Sequence, residues 1–450
     1  MSDPLLFLHR VQEAREIYDT GSVQSPASVR DQILRACWIV DRARQAGRIG
    51  PDKPLLVVGA GAAGVSAALR ASGAGVPTHL VEIESEAFSR QLSCSTRWID
   101  PSVYEWPLTN HTSDHWGQMP QMPLPYSLGL SNELIRDWQS RIASAANLYK
   151  HFGCAVSAPP QPYGGRLRAE VRNNRTGNNL SLVIDAALWA GGPGEENTVC
   201  GQYRGFRFWE TDPYAHPHLL LSGVSSRVLI SGGGDGALQD LLRIAFDPAR
   251  VRTPRDLLPL LSSIPSSTFL ELQSAEDHAQ RALIWNGGPN ERKHDHPVFA
   301  RLHDVHSRLA RAFAPTVERE LSGLLRDPLP EITFAHACTH FSRCYPINRF
   351  VGLLLLDILL RQGRVRYQRN SGVVDVVPTA PGVHLCGMDP NGCHGIDHDV
   401  ISTTRGCATG AASRRLLGTY NVIILRHGLE SKPRAVSLKI RRQLLPYELL

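Results

Sequence analysis

The fold is decided by residues 55–69, which read Leu55-Leu56-Val57-Val58-Gly59-Ala60-Gly61-Ala62-Ala63-Gly64-Val65-Ser66-Ala67-Ala68-Leu69. Four apolar residues predict a buried parallel strand, a Gly-x-Gly-x-x-Gly turn follows, and small residues then favour a helix packed close to a sheet. Gly59 permits the tight turn, Gly61 lets the backbone approach a pyrophosphate, and Gly64 allows close helix–strand contact. We therefore predict a dinucleotide site whose phosphates face the N–H groups of the helix start, formed by Gly59, Ala60, Gly61, Ala62, Ala63 and Gly64.

An acidic residue follows the next predicted strand. Thr78-His79-Leu80-Val81 ends at Glu82, 23 residues after Gly59 (82 − 59), where a carboxylate is expected to accept a ribose hydroxyl. Strand, turn, helix, strand and acid in this order predict dinucleotide binding. The alternative is a glycine-rich strand–helix turn in an unrelated α/β fold.

A second strand–glycine–helix unit lies at residues 227–242, where Gly232, Gly234 and Ala237 fit the Gly-x-Gly-x-x-Ala variant. No clean strand with a terminal acid follows about twenty residues later. Three arginines follow instead, and they would either meet a 2′-phosphate or, as we slightly favour, lie solvated on the surface: Arg250, Arg252 and Arg255. The pattern predicts a site for NADPH or NADH, or a turn with a structural role only.

Composition limits the class of protein. The chain has 450 residues, 42% of them hydrophobic and 20% charged, with a net charge of +6, as expected for a globular protein of two or three domains without a nucleic-acid partner. Nine scattered cysteines and an N-terminus without a basic leader predict reduced thiols and a cytoplasmic protein. The longest apolar run, 351–360, contains Asp357 and is too short to span a membrane, so it predicts a buried helix.

The N-terminal half combines helices with a β-hairpin. We predict helices over 11–18, over 28–46 with Ser28 as N-cap, and over 132–152. The 28–46 helix has Ile33, Leu34, Cys37, Trp38 and Val40 on its apolar side. Residues 1–50 are expected to pack on the nucleotide domain or on a partner subunit. Arg97 and Trp98 belong to an aromatic-rich loop that either covers a substrate or flavin or simply packs. Residues 166–184 alternate as a hairpin, and a buried strand runs from 185 into glycines.

The C-terminal half is expected to be mainly helical from 255 to 362, with one strand at Thr268–Leu272 and another at Ile332–Ala337. Several histidines and cysteines fall here, and solvated side chains are a better interpretation than metal ligands: His294, His296, His303, His306, His336, Cys338, His340 and Cys344. A further strand precedes Gly387 and Asp389, followed by a helix over 397–417 and a strand over 422–425.

These landmarks together resemble the flavoproteins with two dinucleotide-binding domains, such as thioredoxin reductase-like enzymes and flavin-containing or N-hydroxylating monooxygenases. Ala190-Gly191-Gly192 resembles the family's Ala-Thr-Gly hinge with Gly in place of Thr, and Gly387-Met388-Asp389 resembles its late Gly-Asp motif with one inserted residue. The resemblance implies FAD at Gly59, Gly61, Gly64 and Glu82, with Asp389 holding the ribityl–phosphate region, and NAD(P)H at Gly232, Gly234 and Ala237.

The implied fold class is α/β, with a Rossmann-like FAD domain carrying a β-meander, a second Rossmann-like domain that is complete or degenerate, and a helical insertion. The implied parts are a helical extension (1–50), the FAD-binding domain (51–195 and 376–450 with the tail) and the second nucleotide-binding-like domain (196–375).

Three functions remain open. The first is an FAD-dependent oxidoreductase that takes hydride from NAD(P)H and oxidises a small molecule, with a monooxygenase as the favoured type. Disulfide reduction is disfavoured because the chain has no Cys-x-x-Cys pair. The second is an FAD-dependent amine oxidase or dehydrogenase that needs no NAD(P)H. The third is a non-catalytic flavin- or nucleotide-binding protein with a protein partner, or a homo-oligomer, contacted through the N-terminal extension.

Overall fold

The computed structural model describes residues 6, 16–20, 28–108, 122–124, 128–192, 194–210, 226–285, 297–342, 344–379, 397–405 and 412–428. The strands are, in chain order, β1 (Ile17–Asp19), β2 (Leu55–Val58), β3 (Thr78–Glu82), β4 (Trp98–Ile99), β5 (Gly129–Leu130), β6 (Leu148–Phe152), β7 (Cys154–Val156), β8 (Gln161–Tyr163), β9 (Arg166–Asn173), β10 (Asn179–Ile184), β11 (Ala186–Trp189), β12 (Val199–Cys200), β13 (Tyr203–Arg204), β14 (Arg227–Ser231), β15 (Glu331–Ala335), β16 (Val365–Gln368), β17 (Ser371–Pro378), β18 (His398–Arg405), β19 (Ala412–Tyr420) and β20 (Val422–Leu425). The helices are Val29–Gln45, Ala62–Gly73, Ser89–Leu92, Ser131–Ser144, Asp235–Ala245, Leu258–Leu261, Ser266–Trp285, Pro297–Ser322 and Pro346–Arg361, with 3-10 turns at Val103–Glu105 and Pro254–Leu257.

The first parallel sheet has five strands in the order β1-β11-β2-β3-β6. Its centre, β2, pairs with β11 on one side and β3 on the other. Leu55 and Val57 join a core with helices, whereas Leu56 packs against the antiparallel meander β7–β10. Both faces of β2 are therefore covered, which is why its sequence is continuously apolar.

The second parallel sheet has four strands in the order β16-β15-β14-β20. Val228 and Ile230 of β14 face the helical core, and Leu229 packs with the antiparallel sheet β17-β18-β19. Each parallel sheet thus has helices on one face and an antiparallel sheet on the other. The helices Ser266–Trp285 and Pro297–Ser322, here called the helical insertion, lie between β14 and β15 in the chain. The predicted α/β class with two Rossmann-like units, a meander and a helical insertion is confirmed.

Two predicted helices in the first half include strands. Ile17–Asp19 pairs in parallel with β11, and Leu148–Phe152 extends the first sheet beside β3. The local cause is a left-handed residue before each strand, Glu16 at φ 58° and Asn147 at φ 56°, a conformation that a helix does not continue through. The helix predicted over 132–152 therefore ends at Ser144.

The helix Val29–Gln45 agrees with its prediction. Ser28 caps it with a capping box that includes Asp31, and most of the predicted apolar side is buried against the nucleotide domain. Trp38 is the exception, since it is 51% exposed. The extension thus packs on the first domain, and a partner contact through it stays a prediction.

Two predictions in the second half are wrong. Thr268–Leu272 lies inside the helix Ser266–Trp285, where Leu272, Glu276 and Ala279 are buried at helical spacing. The predicted helix over 397–417 contains the strands β18 and β19 instead, which pair antiparallel and are rich in β-branched residues in β18. Val422–Leu425, assigned from sequence to the FAD-binding domain, pairs with β14 in the second sheet.

The helix Pro346–Arg361 is buried along most of its length, as the apolar run 351–360 predicts. Within the described part of the chain, we find no helix with the length and apolar character needed to cross a membrane.

Candidate functional site

The first turn, residues 59–64, is shaped by two glycines that no other residue replaces without strain. Gly59 has φ +100°, and a Cβ added there would lie 2.6 Å from the carbonyl oxygen of Ala190. A Cβ on Gly64 would lie 1.8 Å from the carbonyl oxygen of Gly59. The helix therefore sits directly on the turn, as the sequence pattern predicts.

Gly61 has a different environment. It is the N-cap of the helix Ala62–Gly73 in an extended conformation, without a side-chain cap, and a Cβ added to it would meet nothing within 4 Å. Ala62 and Ala63, the first two helical residues, add only methyl groups. The start of the helix is thus an open cradle of backbone N–H groups, which suits an anionic ligand.

Glu82 lies at the end of β3, next to this cradle. Its Oε2 accepts a hydrogen bond from the Ala60 N–H at 2.5 Å, and its Oε1 accepts one from Glu84 N at 3.0 Å. The Phe88 N–H donates to the Ala60 carbonyl at 3.0 Å, which ties the following loop to the turn. The carboxylate is thereby fixed beside the turn, at the place where the pattern predicts a ribose contact.

The second turn, residues 232–237, repeats this backbone plan. Gly232 has φ +151°, and an added Cβ would lie 2.3 Å from the carbonyl oxygen of Arg426, which follows β20 as Ala190 follows β11. Ser342 N donates to the Gly233 carbonyl at 2.8 Å, the counterpart of the Phe88–Ala60 bond. Gly234 is the N-cap of the helix Asp235–Ala245, and Ala237 is buried at the position of Gly64.

Side chains distinguish the second turn from the first. Asp235 stands at the first helical position, where its Oδ1 accepts from Tyr345 N at 2.9 Å and from Asn348 Nδ2 at 2.8 Å. Gln239 donates to the other carboxylate oxygen at 2.6 Å. Burial raises the pKa of Asp235 in spite of these bonds. A carboxylate therefore stands where the first turn has only Ala62.

His336 occupies the position that corresponds to Glu82, because Ala335 pairs with Ser231 as Val81 pairs with Val58. Its Nε2 lies 2.9 Å from the Tyr367 hydroxyl. Burial lowers the pKa of His336 to about 4, so the ring is neutral near pH 7. The acid missing from the sequence pattern is thus replaced by a neutral imidazole.

Arg97 joins the two units through a buried ion network. Its Nη2 donates to Asp240 Oδ1 at 2.8 Å, while Arg426 Nε donates to Asp240 Oδ2 at 2.7 Å. The three side chains are only 2%, 2% and 5% exposed, in the order Arg97, Asp240, Arg426. Burial alone would raise the pKa of Asp240, but Arg426, Arg97 and Arg243 together hold it far below its ordinary value.

Arg97 and Trp98 were predicted to contact the cofactor. Arg97 stacks over Phe208 at 3.6 Å and bonds its carbonyl, so its described contacts are with the protein itself. Trp98 is half-buried, with the Arg252 guanidinium 5.4 Å from its ring. A cofactor contact of either residue stays a prediction.

The three arginines after the second turn are paired with carboxylates. Arg250 lies 3.5 Å from Asp247, and Arg252 lies 3.7 Å from Asp256, both on the surface. Arg255 holds the buried Asp100 with two bonds of 2.7 and 2.9 Å. The favoured surface interpretation fits Arg250 and Arg252, but it is wrong for Arg255, which fixes the loop after β4.

The histidines and cysteines of the second half were predicted to be solvated side chains rather than metal ligands. The solvated interpretation is wrong for four buried histidines, His303, His306, His336 and His340. The Nε2 atom of His306 lies 2.8 Å from the carboxylate of Glu276. No group of three side chains that could hold a metal occurs among the described residues. Burial raises the pKa of the Cys344 thiol to about 12. Gly387, Asp389, His294 and His296 lie outside the described residues.

Sequence reasoning missed Asp235, Asp240, His336 and Arg426. The signal was present for Asp240, which stands eight residues after Gly232 as Ala67 stands eight after Gly59. Placing the two glycine patterns one above the other would have shown a charged residue in a helix that faces a sheet.

The family described as glucose inhibited division protein A (GIDA) matches residues 54–104, a range that includes the first turn and Glu82. No curated protein sequence matches the chain. Similar solved structures include thioredoxin reductase from T. acidophilum, with 12% identity over 87% of this chain and 81% of that chain and a TM-score of 0.39. Others are the FAD-bound cadaverine monooxygenase from Erwinia amylovora (13%, 85% and 79%, TM-score 0.40) and the ornithine hydroxylase from Pseudomonas aeruginosa (17%, 88% and 84%, TM-score 0.32). These proteins are of the kinds that the motif-based resemblance named.

Proposed function

We propose that the protein is an FAD-dependent oxidoreductase that acts on a small molecule. The observation that carries the proposal is the first turn, where an open helix start at Gly61 lies beside the fixed carboxylate of Glu82. Backbone N–H groups and the helix dipole would hold the pyrophosphate, and Glu82 would accept the adenosine ribose hydroxyls. The family match over residues 54–104 supports this assignment.

The residues around the first turn fit FAD because the space beside Gly61 is free while that beside Gly59 and Gly64 is filled by protein. When bound, the isoalloxazine supplies the electron transfer, and the protein supplies its position and its electrostatic surroundings. Asp389 and the positive end of a helix were predicted to hold the ribityl side. Because β18 and β19 occupy the range of the predicted helix, a helix there is no longer proposed to contact the flavin. The role of Asp389 stays a proposal.

We further propose that NADPH or NADH binds at the second turn and reduces the flavin, and that the oxidised product arises by a monooxygenase reaction. The shared backbone plan of the two turns supports a second nucleotide, with the phosphates at Gly234. Disulfide chemistry is disfavoured at Cys344 and Cys200, because a reactive thiol needs a lowered pKa and burial raises the pKa of these thiols to about 12 and about 11.

One observation favours a second candidate function, an FAD-dependent oxidase or dehydrogenase that takes electrons directly from an amine or a related substrate. The carboxylate of Asp235 lies at the start of the second helix, where it competes with a phosphate for the same positive helix end. In this candidate function the second turn would have a structural role only, and the helical insertion would supply the residues that bind the substrate.

The experiment that separates these candidates is an anaerobic absorbance measurement on the purified full chain. We expect a yellow protein, or one that becomes yellow with added FAD, whose flavin band bleaches with NADPH or NADH. Bleaching by amines without nicotinamide would select the second candidate. A protein that stays colourless and cannot be reconstituted with FAD would refute the assignment of the first turn.

A further inference from the structure

An open basin of about 440 Å³ lies beside the helix Pro297–Ser322 of the helical insertion. One face of the helix Pro297–Ser322 lines it together with the residue that follows β16. The side chains that matter for its charge are His303, Asp304, Ser307, Arg308, Arg311 and Arg369. Three guanidinium groups therefore face a cavity whose wall contains a single carboxylate.

Arg308 and Arg311 are exposed and form ion pairs with carboxylates of neighbouring helices. Arg308 pairs with Glu271, and both side chains are about half exposed, at 58% and 45%. Arg311 lies 3.6 Å from Asp357, a carboxylate that also binds Arg361 at 3.1 Å. Ion pairs that involve such solvent-exposed arginines contribute little to stability, so an anion with stronger hydrogen-bonding geometry can replace the carboxylates.

Arg369 completes the cationic wall from a different element. It follows the last residue of β16, and its guanidinium lies 5.9 Å from the centre of the Tyr367 ring. Arg311 and Arg369 thus approach the basin from a helix and from a strand end. Ser307 adds a hydroxyl donor on the helix between them.

His303 forms the inner wall of the basin and connects it to the second turn. The Phe341 N–H donates to His303 Nδ1 at 3.4 Å, and the adjacent Ser342 N–H donates to the Gly233 carbonyl at 2.8 Å. Burial lowers the pKa of His303 to about 3, so this ring adds hydrogen-bonding capacity without charge near pH 7.

We propose that this basin binds a phosphate monoester or inorganic phosphate as a dianion. Guanidinium forks match the oxygens of phosphate in pairs, and a dianion satisfies several arginines at once where a carboxylate satisfies one or two. The inference goes beyond the proposed function, because the basin is lined by the helix Pro297–Ser322 and Arg369 and uses no residue of either glycine turn.

The first test uses inorganic phosphate and isothermal titration calorimetry on the FAD-loaded full chain at low ionic strength. We expect phosphate binding by the native protein and at least tenfold weaker binding by the double variant Arg311→Gln/Arg369→Gln. Arg281→Gln is the matched control, since Arg281 is an exposed arginine of the neighbouring insertion helix whose described pairing is with Asp277. Native protein that does not bind phosphate, or equal affinities of the native and double-variant proteins, would overturn the proposal.

The second test distinguishes a phosphate carried by a nucleotide from the free ion. We compare 2′,5′-ADP, 5′-AMP and inorganic phosphate on the same proteins. At least tenfold tighter binding of 2′,5′-ADP than of the other two, lost in the double variant, identifies a nucleotide-borne phosphate at the basin. Equal binding of 2′,5′-ADP and inorganic phosphate, reduced together in the double variant, identifies the free ion. Binding that the double variant leaves unchanged for all three compounds contradicts the basin site.

The flavin band of each preparation is recorded in parallel. Loss of phosphate binding with a normal flavin content isolates the basin from the first turn. Phosphate binding by a protein without flavin would leave the basin standing while the proposed function fails.

Discussion

Beside the first turn the chain places Ala67 and Ala190, whereas at the corresponding positions beside the second turn it places Asp240 and Arg426. The strands around the two turns follow the same order, since β6-β3-β2-β11 in the first sheet corresponds to β16-β15-β14-β20 in the second. The loop after β3 and the loop after β15 each form an equivalent backbone hydrogen bond with their turn. The backbone plan is therefore shared, and the difference lies in charge.

This difference separates two uses of one fold. The first turn is lined by small apolar side chains, so a ligand's negative charge would be met by backbone N–H groups alone. Near the second turn Asp240 pairs with Arg97 and Arg426, and this buried network connects the helix Asp235–Ala245 to Arg97 of the first half of the chain. The first unit keeps an open space beside Gly61, whereas the second unit also carries a buried ion pair to Arg97.

The largest effect should come from removing the negative charge of Asp240 from the buried ion network. Asp240→Asn leaves Arg97 and Arg426 buried with an uncharged partner, and we expect a loss of about 3–5 kcal/mol in the free energy of unfolding. Because the folded pKa of Asp240 is held below its unfolded value, its stabilisation is complete above the unfolded pKa of about 3.9 and is lost only in strong acid. Urea unfolding at pH 5 and pH 8 should therefore give the same difference between native and variant proteins.

The matched control is Asp277→Asn, which removes a carboxylate from a surface pair with Arg281. Its expected cost is within about 1 kcal/mol. Similar effects of the two substitutions would show that the buried network does not distinguish the second unit in the way described here.

The next prediction exchanges the small residues that set the helix–strand distance. Gly64→Ala places a Cβ 1.8 Å from the Gly59 carbonyl oxygen, so we expect a loss of about 3 kcal/mol as the helix is pushed away. The reciprocal change, Ala237→Gly, removes a methyl group from the second helix and should cost about 1 kcal/mol. Thermal unfolding followed by circular dichroism measures both, and equal shifts would show that the two helices pack alike.

The sequence predicts most of both cradles because their requirements are local. Gly59 and Gly232 need positive φ, and buried parallel strands need continuous apolar runs, so both signals can be read within about fifteen residues. The hairpin over 166–184 and the N-cap at Ser28 are equally local. These features were predicted with the correct type and nearly correct bounds.

The sequence-based predictions fail where contacts between residues far apart in the chain determine the structure. Leu148–Phe152 is separated from the preceding helix by the left-handed Asn147, but only its pairing with β3, some 70 residues earlier, makes it a strand. Arg255 looks like a surface arginine until Asp100, 155 residues away, is folded against it. Asp240 and Arg426 are 186 residues apart, and no local pattern announces their pairing. Contacts of this kind depend on tertiary packing, which overrides local propensity.

The third prediction tests the open cradle without disturbing its fold. Gly61 has φ −80° and ψ −172°, an extended conformation that valine accepts, and an added Cβ meets no atom within 4 Å. Gly61→Val should therefore fold normally but lose FAD affinity at least about a hundredfold, near 2.7 kcal/mol, because its side chain fills the pyrophosphate position. Flavin content after dialysis measures this, with Gly50→Val as control. Normal flavin content in the Gly61→Val protein would place the cofactor elsewhere.

A smaller effect on FAD affinity is expected from a substitution of Glu82. Glu82→Gln keeps an oxygen that can accept from the Ala60 N–H but removes the charge that would receive the ribose hydroxyls. We expect FAD to bind about tenfold more weakly, a change of about 1.4 kcal/mol, without a change in unfolding. Flavin fluorescence titration checks it, and Glu84→Gln, at the exposed neighbouring carboxylate, should bind FAD like the native protein.

The smallest effect should appear at the second turn, in the opposite direction. Asp235→Asn retains the shape of the side chain beside Tyr345 N while removing a negative charge from the positive end of the helix Asp235–Ala245. A charge at a helix end is worth about 0.3–1 kcal/mol, so NADPH or NADH should bind about two- to fivefold more tightly. The nicotinamide concentration that gives half-maximal flavin reduction measures this change. If Asp235→Asn leaves that concentration unaltered while Gly61→Val abolishes flavin binding, the second turn is structural, and the two units share a backbone plan without sharing a ligand.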